Sequence, residues 1–392
     1  MTINKQTVSP ADSATIRLLR LPLALGVVFI HAGIRASGSE IDFACMDGMS
    51  GFRLVVCVVT NQLAGLAVPL FFMISGFLFF QHYTEYKTPG ERLGFYKSKL
   101  LRRLRTLVVP YAVFNALAVA GLMTAHMAQG HSLAQSIDTY LGGTKWLSNF
   151  WDIHTTGSVT NILGISKPIA YPADSPLWFV RDLMVTMLMS PIIGLAIKRL
   201  GTWWLAAMLA LALTGIWIPL AGFGATSCLY FSIGAWFAIS ATRISRFTSR
   251  HSRLILPLAA ATLVADIVGD GSAADKYIHI AFILTGMLAV FHLAALSATR
   301  SAVSRLLAKE ERHPFAGQAA FFVFAVHTLP LVYWGTRPVE WCKQLLWTNS
   351  HDGLVCTAQY LGIALLTFAL CLGAYGLLRL ICPKLLTLLL GR

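Results

Sequence analysis

An arginine and a histidine lie eleven residues apart around a strongly apolar stretch near the start of the chain. Arg20 directly precedes residues 21–30, and His31 directly follows them. At ~100° and ~1.5 Å per helical residue, eleven residues make about three turns, so both side chains share one helix face about 16 Å apart. Arginine keeps its charge in proteins, whereas an imidazole exchanges a proton near neutral pH. This stripe therefore suggests a fixed cation to hold an anionic group and a base to move a proton.

The composition places this stripe in an integral membrane protein. Of the 392 residues, 56% are hydrophobic and 12% are charged, whereas soluble domains carry about 25% charged residues. An apolar segment of about 20 residues spans a bilayer as a helix. The sequence predicts an all-α bundle of about ten transmembrane helices, forming one polytopic domain over residues 1–392. The predicted spans are 17–36, 60–82, 107–127, 175–197, 201–218, 222–240, 254–270, 277–297, 314–335 and 356–381, with a cytoplasmic segment at 1–16 and a long outer loop at 128–174.

The distribution of charge predicts the orientation. If the N-terminus is cytoplasmic, most of the 31 lysines and arginines fall on inner connections, and most of the 17 acidic residues fall on outer ones. This bias predicts that both termini lie inside a cytoplasmic (inner) membrane. It also accounts for the net charge of +14 without nucleic-acid binding.

A basic run just before the third predicted helix has two interpretations. It can set the topology and attract anionic lipid headgroups. It can also form a cytoplasmic site for a phosphate-bearing ligand, because arginine pairs with phosphate oxygens through parallel hydrogen bonds. The run consists of Lys97, Lys99, Arg102, Arg103 and Arg105.

Ser75 and Gly76 interrupt an aromatic wall in the second predicted helix, within LFFMISGFLFF at 70–80. Small residues allow helix backbones to approach closely in lipid. The pair therefore marks either a packing contact or a gap through which a thin ligand threads. A nucleophilic serine is not indicated, because no G-x-S-x-G turn surrounds Ser75.

Charged and imidazole side chains also lie inside later apolar segments. Arg181 and Asp182 follow Trp178 in SPLWFVRDL, one to two turns inside the fourth predicted span. They either form a structural ion pair or orient a substrate hydroxyl or the imidazole of His31. His327 lies inside the ninth predicted span, where it either bonds to nearby backbone or takes part in substrate binding.

The seven cysteines show no C-x-x-C pair and no metal-ligand spacing, so no metal is predicted. Cys342 and Cys356 could meet in a disulfide on the outer side, which the sequence leaves open. Four others are expected to behave as small buried hydrophobic residues: Cys57, Cys228, Cys371 and Cys382.

The order of these motifs resembles that of the membrane acyltransferase-3 family. Arg20 and His31, with RLLR at 17–20, are similar to the family's R-x10-H pattern. The later matches are VPLFFMISGFLF at 68–79, the basic run leading into VVPY at 108–111, SPLWFVRDL at 175–183 and, more weakly, FSIGAWFA at 231–238 and FAVHTLP at 324–330.

Two positions depart from the family pattern. Pro22 falls between the arginine and the histidine, where it is expected to be tolerated as a first-turn residue. Asn115 stands where an aromatic residue is expected after the Pro-Tyr pair.

The resemblance implies transfer of an acyl group, usually acetyl from acetyl-CoA in the cytoplasm, to a hydroxyl of an extracytoplasmic polysaccharide, lipopolysaccharide or lipid-linked glycan. It implies that His31 acts as a general base or is transiently acylated, with Arg20 and Asp182 as catalytic partners. The acceptor is expected at Trp178, Arg181 and His327. Residues expected to hold the acyl-CoA are Arg17, Arg20, Ser75, Gly76, Lys99, Arg102, Arg103 and Arg105.

Two alternatives remain from the sequence. A glycolipid transporter or flippase would use intramembrane charges to line a path without consuming a thioester, and a non-catalytic subunit of an envelope assembly would do neither. The acceptor, the acyl chain length and the oligomeric state are not encoded in recognisable motifs.

Overall fold

The first part of the bundle contains four α-helices, and a π-helical segment followed by a 3-10 turn joins the second to the third. The computed structural model describes residues 9–37, 50–162, 165–218, 222–312, 314–328 and 353–391. The Cys342–Cys356 disulfide that the sequence leaves open involves Cys342, which lies outside these ranges. The elements are α1 Pro10–Ser37, α2 Ser50–Val56, a π-helical segment Cys57–Leu63 with a 3-10 turn Ala64–Leu66, α3 Ala67–Phe79, a 3-10 turn Tyr83–Glu85, and α4 Pro89–Ala128.

The segment predicted as an outer loop at 128–174 contains regular structure. It forms two short helices and an antiparallel hairpin, in which Ile153 pairs with Tyr171 and Ile162 with Ile165. This hairpin is an addition to the helical bundle that the sequence analysis did not predict. The elements are α5 Leu133–Leu141, α6 Lys145–Trp151, β1 Ile153–Ile162 and β2 Ile165–Tyr171.

The remainder of the described chain is helical. The elements are a 3-10 turn Ser175–Leu177, α7 Trp178–Leu188, α8 Ser190–Leu200, α9 Thr202–Thr214, α10 Ala225–Ile239, α11 Ile244–Arg250, α12 Ser252–Val268, α13 Asp275–Ala298, α14 Ser301–Arg312, α15 Ala316–Val326, α16 Gly353–Ile381 and α17 Pro383–Leu389.

The helices are those of a multi-pass membrane protein. Within the described ranges, five helices are long and apolar enough to cross a bilayer, and seven segments qualify if the bent pairs α7–α8 and α10–α11 each count as one. The helical class is confirmed at this level, whereas the count of ten spans and the inward orientation of both termini stay predictions.

Two helix starts lie earlier than the sequence analysis placed them. Helix α1 begins at Pro10, so part of the predicted N-terminal segment is helical and Pro22 lies in the helix interior. The expectation of a first-turn proline was therefore wrong, and the Pro22 nitrogen cannot donate to the carbonyl of Leu18. Helix α4 begins at Pro89, because Thr88 and Glu91 form a reciprocal capping box. The basic run consequently lies within α4 and not before it.

Helices α3 and α10 cross in backbone contact. A β-carbon added at Gly76 would overlap the carbonyl oxygen of Phe231, and one added at Gly234 would overlap that of Met73. Such close approach is possible only where both helices present glycine, which is the usual use of small residues between membrane helices. This crossing anchors a core of buried aromatic side chains, including Phe79, Phe80, Phe95 and Phe231.

Three of the four cysteines expected to be buried are buried, namely Cys57, Cys228 and Cys371. Cys382 is exposed, which corrects the expectation for that residue. It lies at the break between α16 and α17, where the chain turns and no neighbouring helix covers it within the described part of the protein.

Candidate active site

Helix α15 packs along the face of α1 that carries both predicted functional residues. Arg20 approaches Gly317 near the start of α15, and His31 faces His327 at its end. The ten residues between Gly317 and His327 span about 15 Å of helix, close to the ~16 Å from Arg20 to His31. The two helices therefore run parallel, and both ends of the predicted stripe lie against α15.

A cavity of about 200 Å³ opens beside this stripe. Its polar atoms come from Arg20 of α1, Ser75 of α3 and Arg103 of α4, which the sequence separates widely. The rest of the wall is apolar, so the two guanidinium groups provide its positive charge. The other lining residues are Phe71, Ile74, Leu78, Leu107, Phe179, Val180, Leu183, Met187, Gly317, Ala320, Phe321 and Phe324.

Phe324 lines this cavity and also lies next to the imidazole pair. Its ring lies 5.6 Å from that of Phe179 and 6.4 Å from that of Phe71, two other rings of the cavity wall. The same ring lies 6.4 Å from the imidazole of His327. His31 and His327 are not among the described residues that line the cavity, so Phe324 is a shared neighbour of the cavity and the imidazole pair.

His31 and His327 form a close imidazole pair. Their ring centroids lie 4.9 Å apart with the planes inclined by 58°. His327 is fully buried, and its Nδ1 lies 2.9 Å from the carbonyl oxygen of Phe324 and 3.1 Å from that of Val323. A carbonyl only accepts hydrogen bonds, so Nδ1 carries the proton and Nε2 is left as an acceptor. Nε2 has no hydrogen-bond partner within the described part of the chain.

Ser75 and Gly76 point in different directions. Ser75 lines the cavity, whereas Gly76 is buried against the backbone of α10. The structure therefore brings only Ser75 to the site and gives Gly76 a packing contact.

The predicted acyl-CoA-binding cations are also divided. Arg103 lines the cavity, while Arg102 and Arg105 are exposed on other faces of α4. Lys99 lies 5.6 Å from the centre of the Phe95 ring. Arg17, one turn before Arg20, pairs with Glu311 at 3.3 Å.

Arg181 and Asp182 lie away from the cavity, on the side of α7 opposite its lining residues. They form a buried ion pair at 2.9 Å, which was the structural alternative of the sequence analysis. Arg181 also donates to the carbonyl oxygen of Trp151 and stands over its ring at 5.7 Å. The pair thus joins α7 to α6. Trp178, at the start of α7, is partly buried against the core and does not line the cavity.

Thr328, Asp174 and Asn115 form a chain of hydrogen bonds, here called the polar bridge, next to His327. The sequence analysis did not predict it. Asp174 is buried, and its Oδ1 accepts a hydrogen bond from the hydroxyl of Thr328, the residue after His327, at 3.0 Å. The backbone N–H of Asp174 donates to Oδ1 of Asn115 at 2.9 Å. Asn115 therefore fills a structural role at the position where an aromatic residue was expected. The sequence signal that could have indicated this bridge is the carboxylate of Asp174, which immediately precedes SPLWFVRDL.

Burial raises the pKa of Asp174 to about 8, and the hydrogen bond from Thr328 only partly offsets this effect. Asp174 precedes the 3-10 turn at Ser175–Leu177 and so lies just outside the apolar span that follows. Within the described ranges, no group of three or more His, Cys, Asp or Glu side chains is placed to hold a metal ion.

Two comparisons with known proteins find matches that cover nearly the whole chain. A model of the acyltransferase domain aligns with residues 14–377, which include both imidazoles, both cavity arginines and the polar bridge. The succinoglycan biosynthesis protein ExoH of Rhizobium meliloti (strain 1021) is 24% identical over 397 residues, covering 97% of this chain and 92% of that protein. No solved structure matches. The chain belongs to the membrane acyltransferase-3 family and is a membrane acyltransferase.

Proposed function

We propose that this enzyme moves an acetyl or other short acyl group from cytoplasmic acyl-CoA to a hydroxyl of a polysaccharide or lipid-linked glycan on the far side of the inner membrane. The observation that supports this proposal is the arrangement of groups along α1. A cavity with two guanidinium groups lies at the Arg20 end of the stripe, and the His31–His327 pair lies at its other end. Phe324 lines the cavity and lies next to His327. A similar protein named for succinoglycan biosynthesis supports a polysaccharide acceptor.

The donor is proposed to enter at the end of α1 that carries Arg20. Arg20 and Arg103 would pair with its phosphates, because guanidinium groups bind such oxygens through charge-assisted hydrogen bonds. The apolar wall, with Ser75 as its small polar member, suits a narrow chain. This orientation puts the basic start of α4 on the cytoplasmic side, as the positive-inside rule requires.

His31 is proposed to act as the general base. It takes the proton of the acceptor hydroxyl as that oxygen attacks the thioester carbon; the new C–O bond replaces the C–S bond, and the thiolate leaves. The proton then passes from His31 to the departing thiolate, which yields CoA and returns the neutral imidazole. Arg181, Asp182 and Trp178 are proposed to shape the acceptor side, where Arg181 contacts Trp151 of α6, and not to touch the thioester.

The test uses purified protein in proteoliposomes with labelled acetyl-CoA inside and succinoglycan freed of its acyl groups outside. The expected result is alkali-labile label on the polymer together with an equal amount of free CoA. His31→Ala should lose both signals, while His251→Ala, which removes an exposed imidazole at the turn between α11 and α12, should keep them. Movement of a lipid-linked glycan without release of CoA would instead establish a transporter.

A further inference from the structure

His327 differs from an ordinary buried histidine in how its two nitrogens are used. Nδ1 is committed to the backbone of its own helix, through the carbonyl oxygens of Val323 and Phe324. Nε2 is buried and has no hydrogen-bond partner within the described ranges. Burying a polar atom without a partner lowers the stability of the folded protein. Such a cost calls for a partner that the ring meets during function.

The group next to this ring is the proposed catalytic base. Two imidazoles joined by one N–H···N hydrogen bond have ring centroids about 5 Å apart, given an N···N distance of about 2.9 Å. The observed separation of His31 and His327 is 4.9 Å. The two rings therefore already lie at the separation of a hydrogen-bonded imidazole pair, and His31, which is half-buried, is the imidazole next to His327.

We propose that His327 positions His31: its Nε2 accepts a hydrogen bond from the N–H of His31, which fixes the tautomer and ring plane of the base. This inference rests on the proposed function. With one nitrogen of His31 donating to His327, the other is unprotonated and faces the acceptor hydroxyl. When that second nitrogen takes the hydroxyl proton, the His31 imidazolium still donates to Nε2, which stabilises it.

The surrounding bridge keeps His327 in place. Thr328, the next residue, donates to Asp174, and Asp174 in turn donates its backbone N–H to Asn115 of α4. Thr328 is thus connected to α4 through Asp174. A neutral imidazole suits this position because a buried acceptor without charge has a smaller desolvation cost than a carboxylate.

The experiment compares two side chains of similar length in place of His327. Gln can present its Oε1 near the position of Nε2, whereas Met is apolar. We expect His327→Met to lower kcat by about a hundredfold with little change in KM for acetyl-CoA, and His327→Gln to recover at least tenfold of that loss, within the range of base-orienting groups. The acidic limb of the kcat/KM profile should move to lower pH in the Met variant, because the imidazolium loses its acceptor.

His292 provides the matched control. It is also buried, and its Nδ1 likewise has no hydrogen-bond partner within the described chain, but it lies on α13 and outside the cavity wall. His292→Met should stay within about twofold of the wild type in kcat, as expected for a site without a catalytic partner.

The outcomes separate the two proposals. Equal activity of the Gln and Met variants, or an unshifted acidic limb, would refute the positioning role while leaving His31 as the base. Full activity of His31→Ala would remove the proposed function itself. Nitrogen-15 spectra of histidine-labelled protein give an independent readout, because wild type and the Met variant should differ in the tautomer populations of His31.

Discussion

The guanidinium of Arg20 rests on Gly317 because that residue has no side chain. A β-carbon added at Gly317 would lie 2.6 Å from Nη1 and 3.4 Å from Cδ of Arg20. Since α15 lies against α1 at this level, the arginine has room in this position only where α15 presents a glycine. The position of the cavity's first cation is therefore set by a residue almost 300 positions away in the chain.

Gly317→Ala is expected to displace the Arg20 guanidinium and raise KM for acetyl-CoA by about tenfold, the equivalent of one weakened charge-assisted contact. Gly362→Ala is the control, because a β-carbon at this glycine of α16 would meet nothing within 4 Å. An unchanged KM in the Gly317 variant, measured on protein of normal thermal stability, would show that Arg20 does not hold the donor.

The sequence located the stripe on α1 but not what covers it. Spacing within one helix follows from 3.6 residues per turn, so Arg20 and His31 could be placed on one face directly. The partners of that face, Gly317 and His327, depend on tertiary packing between distant helices, and no local pattern encodes this. The start of α4 could have been predicted, because Thr88 and Glu91 are a recognisable capping box. The exposure of Cys382 could not, since it depends on which helices lie next to the break between α16 and α17.

Arg103 and Arg102 are adjacent, yet only Arg103 reaches the cavity. We expect Arg103→Ala to raise KM for acetyl-CoA by about ten- to a hundredfold, while Arg102→Ala changes it less than about twofold, since exposed charges contribute little. The comparison distinguishes the two interpretations of the basic run. Equal effects of both substitutions would favour a general attraction to anionic lipid over a specific donor site.

Gly76 and Gly234 are expected to be required for folding. Gly76→Ala should lower the apparent Tm in detergent by several degrees, because overpacking at a contact without free space costs about 1 to 3 kcal/mol. Gly234→Ala should act in the same way, and Gly373→Ala on the open face of α16 should leave Tm unchanged. Normal Tm combined with a selective loss of donor binding in the Gly76 variant would instead indicate a gap used by the ligand.

Phe324 is expected to control passage between the cavity and the imidazole pair. Phe324→Ala removes the ring that lies next to both Phe179 and His327 and should widen the cavity toward the imidazole pair. With this ring gone, we expect water to reach the thioester more easily, so hydrolysis of acetyl-CoA without acceptor should rise relative to transfer. The measurement is free CoA released per acyl group transferred. Phe321→Ala, which removes another lining ring, should leave that ratio near the wild-type value.

Asp174 should make the stability of the protein depend on pH. Its pKa is raised by burial from an ordinary value of 3.8 to about 8, so the folded state keeps a proton that the unfolded chain releases above about pH 4. The free energy of unfolding therefore falls as pH rises from about 4 to about 8, and the loss is complete above that range.

Asp174→Asn retains an oxygen for the Thr328 hydroxyl and carries no titrating proton. Its Tm should match that of wild type near pH 4 and exceed it increasingly toward pH 8. Asp138→Asn, which changes an exposed carboxyl on α5, should show the wild-type dependence, and a Tm difference for Asp174→Asn that shrinks as pH rises would contradict a neutral buried carboxyl.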